Sequence, residues 1–335
     1  MKYDTKNKKF FVSKTPLTRK EVFDLITFGG AVVDAFLDTG IEEKNNELCF
    51  LSGTKILVKD LRFTTGGGGT NTAVSFSKLG FKTAMLGKIG IGGNASMILR
   101  DLEAANVKFI GVQCHEETGY SVVLGSKEMN RTILTFKGAN ETITFNELDL
   151  NKLDAPWFYF SSMVGKTLKT QIQLANWARK KGIKVAYNPS AYLTNQGSKV
   201  IKNLLKNVNV LILNDEEARG LVPKGDLFQG LHKFGVEIVC ITYGKKGNAV
   251  SDGKNLFYSL PRKIKVVERT GAGDAFASGF VAGIIKTNDV QTAVQVGSLN
   301  AESVIQKPGA KNGLMTWKEV LREMKTNPVK IGVRV

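Results

Sequence analysis

Apolar positions in the second half of the chain fall in short β-branched or aromatic runs, separated by stretches with helical spacing. The runs at 157–160, 184–187, 208–213 and 237–242 are largely apolar, and helical patterns such as 170–181 and 216–221 lie between them. A run without polar alternation suits a strand buried on both faces, and strands alternating with helices build a parallel sheet. The first half opens with a short apolar strand over 24–30 that ends in Gly29 and Gly30, then gives a helix over 72–79 stopped by Gly80, a strand over 83–89 and a helix over 95–105. Two intervals, about 31–64 and 113–138, carry strand patterns (121–124 and 131–136 among them) without long helices. They predict a small sheet beside the main one, where a lid over a ligand would sit. The expected fold class is α/β, a three-layer α/β/α core with a mainly parallel sheet plus a small β-sheet lid. Residues 1–23 are expected to be an extension and 24–335 the main domain.

Two glycine-rich stretches interrupt the pattern where helices begin. Residues 270–276 read Thr-Gly-Ala-Gly-Asp-Ala-Phe, after a β-branched run at 264–267 read as a strand and before a small-residue helical pattern over 275–285. Glycines let a backbone approach a ligand, and the free N–H groups and dipole of a helix start favour an anion. Asp274 would repel a phosphate there unless it has proton chemistry to do, which suggests a base for phosphoryl transfer to a hydroxyl. The plain alternative is a helix cap. The second stretch, Thr65-Gly66-Gly67-Gly68-Gly69-Thr70-Asn71, also leads into a helix; a flexible turn is its plain reading.

Composition narrows the classes. Three widely spaced cysteines and two histidines argue against a disulfide framework or a structural zinc site. The net charge of +17 raises nucleic acid as a partner. The basic residues are mostly lysines spread along the chain, without interleaved aromatics, so a solvated surface that also attracts a polyanion is expected, and no nucleic-acid partner. No run approaches the length of a membrane span, and the N-terminus lacks the apolar stretch of a signal peptide, so the expectation is a cytoplasmic protein with no membrane partner.

The two glycine motifs, in this order and about 200 residues apart, resemble those of the ribokinase-like (PfkB) carbohydrate kinases, and the resemblance runs from about Asp24 to Leu314. It implies an ATP- and Mg²⁺-dependent phosphotransferase acting on an alcohol group of a small sugar. Asp274 would be the base, and the N–H groups of Gly271, Ala272 and Gly273 the anion hole. Asp34, Gly67, Gly68 and Asn71 would hold the substrate. Asn188, Asn214, Thr242, Gly244, Gly247 and Asn300 would hold the nucleotide, with Ala301 beside the adenine. Glu217 would organise Mg²⁺ through water; its spacing from Asn214 equally matches a capping box. A homodimer through the lid would cover the edges of a small sheet.

Several features depart from the family pattern or leave the acceptor open. Glu268 and Arg269 stand where the family often has Asp and Thr near a monovalent-cation site, so that requirement is uncertain, and Arg269 is a candidate for supplying the charge itself. Ser161, Ser162 and Met163 follow the 157–160 strand where ribokinases carry a substrate-contacting acid. A nucleoside acceptor would draw on Phe36, Phe50 or Phe136 for stacking, and a phosphosugar on Lys55, Lys59 or Arg62. A sugar or nucleotide sensor without catalysis is the alternative from another class. The stretches at 90–95 (G-x-G-x-x-A) and 165–167 read as turns rather than dinucleotide or Walker-type loops.

Overall fold

The computed structural model describes residues 2–4, 9–11, 21–45, 47–126 and 131–334. Most of the expected extension over 1–23 lies outside these residues; within it, Lys2–Asp4 and Lys9–Phe11 pair as an antiparallel ribbon.

The main sheet has ten strands. Seven are parallel, in the spatial order Ile238–Thr242, Val210–Asn214, Lys184–Asn188, Trp157–Ser161, Leu25–Phe28, Thr83–Leu86 and Lys108–Phe109. Beyond Ile238–Thr242, the strands Asn248–Ser251, Leu256–Ser259 and Ile331–Arg334 extend the edge antiparallel. The apolar runs are buried on both faces, as predicted from their lack of alternation. Phe158, Phe160, Leu211 and Leu213 face one layer, with Leu174 and Ala175 of helix Gly165–Lys180 and Ile201 and Leu204 of Ser198–Leu205. Trp157, Tyr159, Val210 and Ile212 face the other, with Phe76 of helix Gly68–Lys78 and Phe276 and Phe280 of Ala272–Thr287. Successive residues point to opposite faces because the strand period is two.

The intervals rich in strand patterns form a second sheet of four strands in the order Arg131–Phe136, Gly119–Gly125, Val32–Asp38 and Asp60–Gly66. The described residues of 39–59 carry no strand beyond an isolated bridge between Lys44 and Glu47, so that interval is less regular than its pattern suggests. The run at 264–267 departs further. It forms no strand; Val267 and Glu268 instead donate their N–H groups to the Ile305 carbonyl at 2.8 and 3.1 Å. Local β propensity is therefore overridden here, and at the end of the run a helix end, not a neighbouring strand, takes the Val267 N–H.

Helices Ala272–Thr287 and Val290–Ile305 pack unusually close because their contact is glycine. A Cβ placed on Gly283 would stand 2.5 Å from the Ala293 Cα, and one on Gly279 3.0 Å from the Gly297 Cα. Gly283→Val is expected to destabilise the fold by about 1–3 kcal/mol through overpacking. Urea denaturation checks this; an unchanged midpoint and slope would contradict the close packing.

Candidate active site

The two motif helices begin side by side at the C-terminal edge of the parallel strands, where open α/β sheets bind ligands. The first helix starts from Gly67, whose φ of 94° favours glycine. Gly69 donates its N–H to the Gly30 carbonyl at 3.0 Å. Any Cβ on Gly67 would lie 2.4 Å from the Gly30 oxygen, and on Gly69 2.6 Å from the Gly29 carbonyl carbon. Gly67 and Gly69 thus let this turn rest on the end of Leu25–Phe28. Gly68 faces elsewhere. A Cβ there would meet Ser161 and come within 3.7 Å of Asp274 Oδ1.

The second helix starts from Gly271 at φ 78°, pressed against Ala310. Ala272 already gives its N–H to the Arg269 carbonyl at 3.3 Å. The open donors of this turn are the N–H groups of Gly271, Gly273 and Asp274, which have no partner among the described residues. Of the expected set of Gly271, Ala272 and Gly273, Ala272 makes this turn bond while Gly271 and Gly273 keep open donors. A Cβ on Gly273 would meet nothing within 4 Å, and Gly273 lines the neighbouring cleft.

Asp274 does not spend its carboxylate as a cap of its own helix. Its Oδ2 accepts from the Asn71 side-chain amide at 2.8 Å, which joins the two motifs directly. Burial pushes the Asp274 carboxyl above the usual range, and the Asn71 bond opposes that. Around the pair, Asn71 Oδ1 and Ser161 Oγ are buried without a protein partner. Orphaned buried polar atoms call for a ligand or water, and both suit a hydroxylated ligand. Ser161 stands in the place where an acid was missed in the sequence.

Asp34 lies on Val32–Asp38 of the second sheet, opposite Ser121. A Cβ on Gly66 would come within 2.0 Å of Asp34 Oδ2, so Gly66 leaves room for this carboxylate. Burial raises its pKa, while a hydrogen bond from Ser121 and the charge of Lys311 lower it. Lys311 carries no motif, and only folding reveals it here.

A cleft of about 880 Å³ runs along the other side of the second motif. Thr242, Gly244, Lys245, Gly247, Ala272, Gly273 and Ala301 line it. Gly247 needs its φ of 93°, since a Cβ would meet the Ser259 carbonyl at 1.9 Å. Three expected nucleotide residues have other partners. Asn300 is fully buried, donates to the Ala275 carbonyl (2.8 Å) and Ser75 (3.1 Å), and accepts from the Met315 N–H (3.1 Å). It is a core residue, one position from the cleft wall, and the nucleotide role is withdrawn. Asn188 donates to the Ile212 carbonyl at 2.8 Å and ties two strands together. Asn214 and Glu217 form a reciprocal capping box, at 2.7 and 2.9 Å.

Among the described residues no three His, Cys, Asp or Glu converge as a metal cage. Burial raises the Glu217 carboxyl. An Mg²⁺ ion arriving with phosphates would keep most of its water here, since these residues offer no direct cage. The volume of the cleft and the bare backbone at Gly244 and Gly273 would leave room for a nucleotide.

Residues 31–317 match the pfkB family carbohydrate kinase, and the chain belongs to that family. It is 26% identical over 278 residues to the ribokinase of Lactococcus lactis, covering 82% of this chain and 90% of that one. An uncharacterized sugar kinase of Archaeoglobus fulgidus is 27% identical over 248 residues, 72% and 98% of the two chains. The structure of Arabidopsis thaliana ribokinase, complexed with ribose and ATP, superposes at a TM-score of 0.78 with 23% identity over 92% of this chain and 100% of that one. The fold is ribokinase-like and the protein is a sugar or nucleoside kinase of that family.

The raised Asp274 pKa predicts a pH signature. A carboxyl that holds its proton more tightly folded than unfolded contributes stability below the ordinary carboxylate range, and loses it as pH rises through the raised midpoint. Asp274→Asn cannot ionise and is expected to melt higher than the wild type at about pH 8, with the gap closing towards about pH 4. Thermal melts across that range check this; equal melting temperatures at about pH 8 would contradict it.

Proposed function

We propose that the chain transfers the γ-phosphoryl group of ATP, with Mg²⁺, to a hydroxyl or hydroxymethyl group of a small sugar. The observation that carries this reading is the Asn71–Asp274 bond beside the open N–H groups of Gly271, Gly273 and Asp274. It supports a base and an anion hole acting at one point. The Asp274 carboxylate takes the acceptor proton as the acceptor oxygen attacks the γ-phosphorus; the bond to the bridging oxygen breaks and ADP leaves. The open N–H groups stabilise the negative charge spread over the transferring group. Asn71 orients the carboxylate, and Asp34, Gly68 and Ser161 receive the acceptor. Thr242, Gly244 and Gly247 hold the nucleotide phosphates. Mg²⁺, when bound, would neutralise phosphate charge.

The four-stranded sheet serves as a lid that excludes water and suppresses ATP hydrolysis. Its exposed Leu61, Phe63, Ile133 and Leu134 support pairing of two such sheets in a dimer. Analytical ultracentrifugation is expected to give about twice the chain mass; a monomer at high micromolar concentration would remove this part.

A nucleoside acceptor is the second reading. A cleft of about 840 Å³ between the second sheet and residues 266–269 is wider than a bare pentose needs, and Phe36, Leu48, Val123 and Val266 line it. Those apolar residues suit the face of a base, and the charged residues beside them, Asp38, Asp60 and Arg62 among them, suit its polar edge. ATP consumption with Mg²⁺ over ribose, other sugars, phosphosugars and nucleosides decides between the two. Asp274→Asn is expected to lose acceptor-dependent turnover about 100- to 10,000-fold while still binding ATP. Wild-type protein that binds ATP and turns over no acceptor would favour the sensor.

A further inference from the structure

Asn248 follows Gly247, opens strand Asn248–Ser251, and belongs to neither glycine motif. In the sheet register it stands between Thr242 and Ser259. Residues directly opposite one another share a face, so three polar side chains lie together there. From that face the Asn248 Nδ2 donates to the Ser298 hydroxyl of helix Val290–Ile305 at 3.2 Å. All four residues line the cleft of about 880 Å³ beside the second motif. Ile264, Phe276, Ala301 and Ile305 give the same cleft apolar wall. Lys245, Lys263, Lys265 and Arg269 give it positive charge, while Arg262 and Glu302 are paired with each other. Apolar wall suits the faces of a nucleotide base and positive charge suits its phosphates. A few placed polar groups then decide which base fits.

Asn248 is 7% exposed, and its Oδ1 is buried without a partner among the described residues. The amide nitrogen has Ser298; the amide oxygen has nothing. A buried acceptor left unmet costs more than a made bond returns, so the contact this side chain lacks is a donor. We propose that Asn248, positioned by Ser298, selects the base of the donor nucleotide: its Oδ1 accepts from an exocyclic amino group, as on adenine, and opposes a carbonyl oxygen in the same place. This rests on the cleft holding the nucleotide, as proposed above.

ATP and inosine triphosphate differ where the base carries an amino group or a carbonyl, and CTP and UTP repeat that difference on a smaller ring. Dissociation constants are measured by calorimetry, with Mg²⁺ and without acceptor, for the wild type, Asn248→Leu and Ser298→Ala. Thermal melts establish that each variant is folded. The wild type should bind ATP about ten- to a hundredfold tighter than inosine triphosphate, because a carbonyl would leave Oδ1 facing another acceptor. CTP should lead UTP in the same sense. Asn248→Leu should bring both ratios to within about threefold, since neither partner is then rewarded or opposed. Ser298→Ala frees the amide to turn its Nδ2 towards a carbonyl, so the ratios should shrink there too, by tighter binding of the carbonyl bases. Equal affinity for ATP and inosine triphosphate in the wild type, as an oxygen satisfied by water alone predicts, would overturn the proposal. So would a preference for inosine triphosphate, or ratios unchanged in folded Asn248→Leu. Wild-type protein that binds none of these nucleotides would remove the nucleotide reading of the cleft along with it, whereas equal binding removes the base selection alone.

Discussion

The contact on which the site depends is the hydrogen bond from Asn71 to Asp274. It joins side chains 203 positions apart, each in the early turns of a glycine-capped helix. The helices are held in that relation by buried polar bonds further along: Ser278 to Ser75 at 2.6 Å, and Asn300 to Ser75 and to the Ala275 carbonyl. Loss of one partner would leave buried groups unsatisfied, which costs more than a made bond returns. The register of the two helices is thereby fixed, and with it the distance between base, anion hole and acceptor residues.

Glycine does two different things at this junction. Gly67, Gly69 and Gly271 are required by backbone geometry, since a Cβ would strike Gly30, Gly29 or Ala310. Gly68 leaves room for the Ser161 side chain beside Asp274, and Gly273 leaves open space at the cleft. The first group brings the elements together, and the second leaves the surface on which a ligand can lie. Burial then makes Asp274 a stronger base than an exposed aspartate, while Asn71 limits the effect.

The layered core was legible because period-two burial leaves a simple mark: strands buried on both faces are apolar throughout. The antiparallel edge strands after Ile238–Thr242 are short and mixed in character, and were not readable. The 264–267 run had strand composition, yet it joins no sheet and its last N–H, that of Val267, goes to the Ile305 carbonyl. At the site, the glycine motifs located Asp274 and Asn71 because backbone-determined chemistry leaves a local signature. Asn300 misled because sequence does not say which side of a buried helix faces a cleft. Glu217 and Asn214 carried two meanings at one spacing, and their geometry realises the cap. Ser161 stood out in the sequence only as a departure from the family, and its buried unpartnered hydroxyl became visible through tertiary proximity, as did Lys311, on a loop 246 residues from Thr65.

The most direct test of Asp274 as an ionised base with a raised midpoint is the pH dependence of acceptor-dependent kcat/KM. The account predicts a rate that falls on the acid side in proportion to protonation of one group, with an apparent midpoint above the ordinary carboxylate range. A rate that stays flat down through that range in folded protein would contradict it.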